Sequence, residues 1–297
     1  MAVTARDPRS ACRLSCGGMA IQMAGGDALR VLMVRSGELC RAWIPGFEIV
    51  ADGPRRRLPV LCRVVLGHRR VPRAAFTARP PTLRIEGDVS LLGPEALADL
   101  SLSLFARFLQ KRDGFLVDGS AALVRGKVVV LTSPSGAERS AAALQLAGRG
   151  HEILATNRCL LSKGMKLLAG TNAFQPEPRT GSECPASLHG TGRPIGAPFP
   201  GKPPTVCRVL HLHLGESTSE PREIDRPTRK LVMSSNVVSR LTARPAVIAP
   251  WGLFLPLVTP ARDVRRRHEA ILNMAALPQA SLYCRPADLE VMLEKIL

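Results

Sequence analysis

The sequence has few aromatic residues, no long apolar run and no dense cluster of cysteines. Aromatic side chains make up 4% of the 297 residues and hydrophobic residues 45%, so we expect a core of Leu, Val, Ala and Ile. No apolar run approaches the roughly 20 residues that span a bilayer, and the basic amino terminus lacks the apolar segment of a secretory signal. The eight cysteines are scattered along the chain, which is not the spacing of a disulfide scaffold. We therefore expect a folded, reduced, cytoplasmic protein without a membrane span.

Acidic residues are missing from the stretch between Gly53 and Ile85, which holds nine arginines in a chain of net charge +17. A basic surface binds polyanions by releasing their counterions. Phe76 is the only aromatic residue among these arginines, so the sequence lacks the aromatic side chains on which single-strand binders stack bases. The charge predicts at most a non-specific, salt-sensitive affinity for polyanions, and nucleic-acid binding stays open as an alternative function.

Composition divides the chain into three regions. Residues 1–26 are small, polar and glycine-rich, which predicts a loose leader. Residues 27–113 predict a small α+β module, with β-rich runs at 29–34, 40–50 and 58–67, a short strand pair after residue 81, and a helix that begins at Pro94. Residues 114–297 predict an α/β domain. Its proline- and glycine-rich stretch at about 176–230 predicts a long mobile insertion, with regular structure only over 205–214.

The segment VVVLTSPSGAERSAAALQLAG, residues 128–148, reads as a strand, a tight turn and a helix. A β-rich run precedes it, joined by a predicted hairpin turn at Arg125-Gly126. The pattern predicts a strand over 127–132, a loop over 133–139, a helix from about Ser140 to Leu146, and a strand over 152–157 beside the first. This order of elements is the setting in which a phosphate-binding P-loop occurs.

The turn itself departs from the P-loop motif G-x-x-x-x-G-K-[ST]. Ser133 and Glu138 stand at the glycines, Arg139 at the lysine, and only Ser140 matches. In a working loop, backbone N–H groups and the helix N-terminus hold the phosphates, the lysine neutralises them and the hydroxyl binds Mg²⁺. Arg139 keeps the charge, but Glu138 adds a side chain and a negative charge beside a polyanion. We expect the loop to bind an anion at the helix N-terminus but to bind NTP·Mg²⁺ weakly.

The wider stretch from Gly114 to about residue 170 resembles the C-terminal domain of HPr kinase/phosphorylase and related serine-kinase-like P-loop proteins. Asp118-Gly119-Ser120 stands where that family has a histidine segment, and Thr156-Asn157 where it has paired acids. The resemblance implies an α/β P-loop kinase domain of the HPr kinase type, with ATP and Mg²⁺ as cofactors and a protein or small-molecule hydroxyl as phosphate acceptor. It also implies Mg²⁺ at Ser140 and Asp118 as the catalytic base. The nucleotide-binding residues it implies are Ser133, Pro134, Ser135, Gly136, Ala137, Glu138, Arg139 and Ser140.

Three functions remain open from the sequence. The first is a phosphotransferase of the HPr kinase type, the second is a regulatory or interaction protein that kept this fold and lost turnover, and the third is a basic nucleic-acid-binding protein. A zinc site rates lower, because no C-x₂-C pair anchors its candidate ligands. These ligands are Cys184, His189, Cys207, His211 and His213.

Overall fold

The computed structural model describes most of the chain as two mixed sheets with helices packed against them. The residues described are 11–25, 27–51, 58–88, 91–172, 202–234, 247–248, 251, 253–254 and 261–297.

The amino-terminal module is a six-stranded sheet with two helices. Its elements are β1 (Ala11–Cys16), β2 (Met19–Ala24), α1 (Asp27–Trp43), β3 (Glu48–Ala51), β4 (Val60–His68), β5 (Arg73–Ala78), β6 (Pro81–Gly87) and α2 (Pro94–Phe108). The strand order is β3-β1-β2-β4-β6-β5, and β2, β4 and β6 are parallel neighbours. Helices α1 and α2 pack on each other, and their apolar residues share one core with the sheet.

The start of this module differs from the prediction. Residues 11–24 form a hairpin, β1–β2, rather than a loose leader, because alternate apolar residues such as Leu14 and Ile21 face the core. The predicted strand 29–34 is wrong, since these residues lie inside the 17-residue helix α1. A short apolar run fits a helix as well as a strand, which explains the error. The strand at 58–67 and the helix at Pro94 are confirmed.

The carboxy-terminal domain contains a second six-stranded sheet. Its elements are β7 (Gly114–Asp118), β8 (Ser120–Val124), β9 (Lys127–Thr132), α3 (Gly136–Gly148), β10 (Glu152–Ala155), β11 (Arg158–Ser162), β12 (Leu167–Gly170), β13 (Val206–Leu214), β14 (Arg222–Glu223), α4 (Arg226–Val232), α5 (Ala261–Ala276), β17 (Gln279–Cys284) and α6 (Leu289–Ile296). Between α4 and α5 the chain forms the strand pair β15 (Val247–Ile248) and β16 (Leu253–Phe254), which packs against α2 and β5 of the amino-terminal module. The main strand order is β10-β8-β9-β13-β17-β14, with β9, β13 and β17 parallel.

Both faces of this second sheet are covered. Apolar residues of α3 and α6 pack on one face, and residues of α5 and of the small sheet β12-β11-β7 pack on the other. Strand β9 is therefore buried along its whole length after its first residue, as the continuous apolar run predicts. The architecture is mixed α/β. Within the described residues, no helix is both long enough and apolar enough to span a membrane.

Two predictions for the strands around β9 have different outcomes. The hairpin turn at Arg125-Gly126 is confirmed, with φ of 50° and 74°. The prediction that strand 152–157 lies beside strand 127–132 is wrong, because β8 lies between β9 and β10. Strand β10 pairs antiparallel with β8, and β8 antiparallel with β9, so β10 still runs parallel to β9.

The predicted mobile insertion is also revised. Strand β13 forms over 206–214 as expected, but it is a central strand of the main sheet rather than part of an excursion. Residues 222–232 add the short strand β14 and helix α4. Residues 176–201, which the same prediction covers, lie outside the described part of the chain.

Candidate functional site

The segment predicted as a phosphate loop is mostly helical. Helix α3 begins at Gly136, about four residues earlier than predicted, so only residues 133–135 connect β9 to it. Ala, Glu and Arg are good helix formers, and Glu138 replaces the glycine that would disfavour helical structure at that position. The loop predicted over 133–139 is therefore wrong for Gly136 to Arg139, which form the first turn of α3.

The N-terminus of α3 carries an acid of its own chain. The Ser133 hydroxyl donates to the carboxylate of Glu138, and the same hydroxyl oxygen accepts the backbone N–H of Ser135 at 3.1 Å. A carboxylate in the first turn interacts favourably with the helix dipole. Glu138 thus supplies negative charge at the helix end where a bound phosphate was expected.

Arg139, at the lysine position of the motif, is held inside the fold. It is 8% exposed. Its Nη1 donates to the Ser133 carbonyl at 2.8 Å, and its Nη2 donates to Asn157 Oδ1 at 3.1 Å. The guanidinium therefore ties the loop before α3 to the turn after β10. Ser140, the predicted Mg²⁺ ligand, follows in α3 and is half-buried.

Asp118, the predicted base, lies in a buried ion pair. Strands β7 and β11 place Asp118 directly opposite Arg158, and Arg158 Nε donates to Asp118 Oδ1 at 2.7 Å. Arg158 Nη1 also donates to the carbonyl of Trp43 at the end of α1, where a cation interacts favourably with the helix dipole. The structure gives Asp118 a role in joining the two parts of the chain, and its role as a base stays a prediction.

A cavity of about 240 Å³ lies at the carboxyl ends of β9 and β13. Its lining residues are Asp118, Thr132, Ser133, Pro134, His211, His213, Ile224, Thr228, Val232 and Ser281. Open α/β sheets bind ligands at this edge of their parallel strands. The structure thus brings together three residues of the predicted site, Asp118, Ser133 and Pro134, while Ser135 to Ser140 do not line the cavity.

The ring of His211 has a polar partner at each of its two nitrogens. Its Nδ1 lies 2.7 Å from Thr132 Oγ1 and its Nε2 lies 2.9 Å from Gln279 Oε1. Burial lowers the pKa of His211, and the positive charge of nearby His213 adds to the lowering. The ring of His213 stacks on Tyr283 at a centroid distance of 4.4 Å.

Sequence reasoning missed Thr132 and Gln279, and it treated the histidines only as zinc candidates. Cys207, His211 and His213 lie on β13, and the described residues contain no group of three or more His, Cys, Asp or Glu side chains placed to hold a metal ion. Cys184 and His189 lie outside the described residues. The sequence signal that could have indicated this cavity was the pair of histidines at alternate positions of the apolar strand sequence VLHLHL.

The arginine-rich stretch forms part of an open sheet face. Arg63 and Arg84 are exposed on β4 and β6, and Glu86 forms ion pairs with Arg69 and Arg73. Arginines 55–57 lie outside the described residues. No protein-family model matches this chain, and no curated protein matches its sequence.

Proposed function

We propose that this chain is a P-loop-like α/β domain that does not turn over ATP·Mg²⁺ and acts instead by binding, as a regulatory or interaction protein. The proposal depends above all on the position and the hydrogen bonds of the Arg139 guanidinium. This group is buried and donates to Ser133 O and Asn157 Oδ1, so it has to leave two hydrogen bonds before it can contact a phosphate.

The first turn of α3 supports the same proposal. A P-loop keeps backbone N–H groups pointing at the phosphates, whereas residues 136–139 are already helical. The carboxylate of Glu138 adds repulsion, because unit charges about 4 Å apart interact by about 4 kcal/mol at an effective dielectric of 20.

The active phosphotransferase is the competing proposal. It rests on the resemblance over residues 114–170 and on the strand-loop-helix order of β9 and α3. Strand β8 separates β9 from β10, which is not the adjacency that the sequence pattern predicts for a strand-loop-helix-strand unit. In that alternative, Arg139 turns outward to the β- and γ-phosphates, Ser140 binds Mg²⁺ and Asp118 accepts the proton of the acceptor hydroxyl.

Titration with a fluorescent ATP analogue, with and without Mg²⁺, separates the two proposals. We expect weak binding by the native chain. The double change Glu138→Gly and Arg139→Lys restores the motif at both positions, and we expect it to strengthen ATP affinity tenfold or more, which is about 1.4 kcal/mol.

Glu95→Gly is the matched control, because Glu95 occupies the first turn of α2 as Glu138 occupies that of α3. It removes the same charge from a helix start with no nucleotide motif, so nucleotide affinity stays unchanged. Low-micromolar, Mg²⁺-dependent binding by the native chain, with no gain from the double change, would refute the proposed function.

A further inference from the structure

The hydrogen-bond directions in the cavity can be followed from Gln279. Its Nε2 donates to the Met274 carbonyl at 3.0 Å, and a carbonyl can only accept. The Oε1 of Gln279 therefore faces His211 as an acceptor, so His211 carries its proton on Nε2. In the neutral ring, which burial favours, Nδ1 is then an acceptor.

The same reasoning shows where the proton of the Thr132 hydroxyl is used. Two acceptors of the protein, His211 Nδ1 at 2.7 Å and the Leu210 carbonyl at 3.3 Å, compete for the single proton of Thr132 Oγ1, so that proton is not available to a ligand. Thr132 lines the cavity and has only lone pairs left to offer a ligand there. A threonine hydroxyl that would otherwise donate is thus converted to an acceptor.

Two more polar groups of the cavity wall are acceptors. The hydroxyl proton of Ser133 is committed to the carboxylate of Glu138. Asp118 binds Arg158 through Oδ1, and its second oxygen, Oδ2, makes no hydrogen bond to any residue that the structure describes. Thr132, Ser133 and Asp118 all line the cavity and are each less than a tenth exposed.

We propose that this cavity binds a small molecule through an ammonium group, whose N–H donors meet the oxygens of Thr132, Ser133 and Asp118. A phosphate or carboxylate, which can only accept hydrogen bonds, finds no proton on the oxygens of Thr132, Ser133 and Asp118. The inference deepens the proposed function and rests on it, since a wall of this polarity belongs to a site that does not hold the phosphates of a nucleotide.

The size of the cavity limits the rest of the ligand. Its volume of about 240 Å³ is below the range of about 300–1,000 Å³ that is typical of sites for drug-sized ligands. The remaining hydroxyls of the lining, Thr228 and Ser281, and the ring of His213 suit a short polar or apolar tail on the amine. A small primary amine fits both the polarity and the volume.

Imidazole NMR of the full-length, ¹⁵N-histidine-labelled protein tests this inference with methylammonium and ethanolamine as probes. We expect saturable shifts of the His211 and His213 signals with a Kd of about 10 mM for methylammonium and about 0.1–10 mM for the larger ethanolamine, because binding free energy is limited to about 1.5 kcal/mol per non-hydrogen atom. Tetramethylammonium carries the same charge without N–H donors, and we expect it and inorganic phosphate to leave these signals unchanged.

Three variants sharpen the result. Thr132→Val removes the acceptor oxygen and is expected to weaken methylammonium binding at least tenfold, whereas Thr132→Ser keeps the hydroxyl and stays within about threefold of the native affinity. Thr77→Val, on the exposed strand β5, is the control for folding and leaves the affinity unchanged.

The inference is overturned by phosphate or tetramethylammonium shifting the His211 signal as strongly as methylammonium. Native affinity in Thr132→Val, or no shift at about 50 mM methylammonium, well above the weakest affinity expected, also overturns it. Failure of the proposed function is seen separately, as tight ATP·Mg²⁺ binding in the fluorescence titration, whatever the amines do.

Discussion

The two six-stranded sheets share a plan and differ in what covers them. Each has three parallel strands at its centre, β2-β4-β6 in one and β9-β13-β17 in the other, with antiparallel pairings outside them. On β4 and β5 exposed positions recur along the strand, whereas β9 is buried at all but its first position.

This difference in burial determines whether the charged residues are solvated or must be paired within the protein. On the open sheet, Arg63, Arg73 and Arg84 stay in solvent, and their ion pairs contribute little. In the elements that cover the second sheet, Asp118 on β7 and Arg139 in α3 are buried and must find partners within the protein. The buried, paired charges of the described residues therefore lie beside the second sheet, which is closed on both faces. We expect substitutions there to change stability more than matched substitutions on the open sheet.

The largest difference in the free energy of unfolding is expected between substitutions of two acidic residues, Asp118 and Glu86. Asp118→Asn leaves Arg158, whose side chain is only 13% exposed, without a counter-charge, and we expect a loss of about 3 kcal/mol in the free energy of unfolding, the lower end of the range for buried pairs. Glu86→Gln removes an acid whose partners Arg69 and Arg73 are 45% and 59% exposed, and we expect no resolvable change. Urea denaturation followed by circular dichroism measures both. Equal midpoints for the two variants would show that burial does not separate the sheets.

The next largest difference in the free energy of unfolding is expected between substitutions of Arg139 and Arg63. Arg139→Gln loses the charge-assisted bonds to Ser133 O and Asn157 Oδ1, and we expect a loss of about 1.5–3 kcal/mol in unfolding free energy. Arg63→Gln, on the open face of β4, should change it by no more than about 0.5 kcal/mol. The same urea experiment applies. An Arg139→Gln protein as stable as the native chain would mean that this guanidinium has no structural role.

A smaller effect is expected from pH. Burial lowers the folded-state pKa of His211 below the unfolded value of about 6.5, so the unfolded state binds this proton first as pH falls. The contribution of His211 to stability is therefore complete above pH 6.5 and declines as pH falls below it. The urea midpoint measured against pH should show this decline, and His211→Gln should remove that part of it. An unchanged pH profile in His211→Gln contradicts the prediction.

Local patterns explain what the sequence could predict. The apolar run of β9 and the glycine turn at Arg125-Gly126 each depend on neighbours in the chain, and both were predicted correctly. The first turn of α3 was missed because the P-loop template placed a loop over residues whose own preference is helical. Helix α1 was missed because its apolar run at 29–34 is too short to distinguish a helix from a strand.

The site depended on contacts that no local pattern encodes. Thr132 meets His211 across 79 positions of sequence, and Asp118 meets Arg158 across 40. These pairs follow from the strand order and register, which a single sequence does not specify. The motif analysis placed the start of the loop correctly at Ser133, but it missed the helix that begins at Gly136 and could not foresee that Arg139 turns inward to Asn157.

The central claim is that Arg139 is unavailable to a nucleotide, and arginine modification by phenylglyoxal tests it most directly. Peptide mass spectrometry of the native protein should show rapid modification of the exposed Arg63 and Arg84 and none of Arg139, with ATP·Mg²⁺ making no difference at Arg139. Modification of Arg139 at the rate of Arg63, with protection by ATP·Mg²⁺, would contradict the claim and restore the phosphate-binding role of this residue.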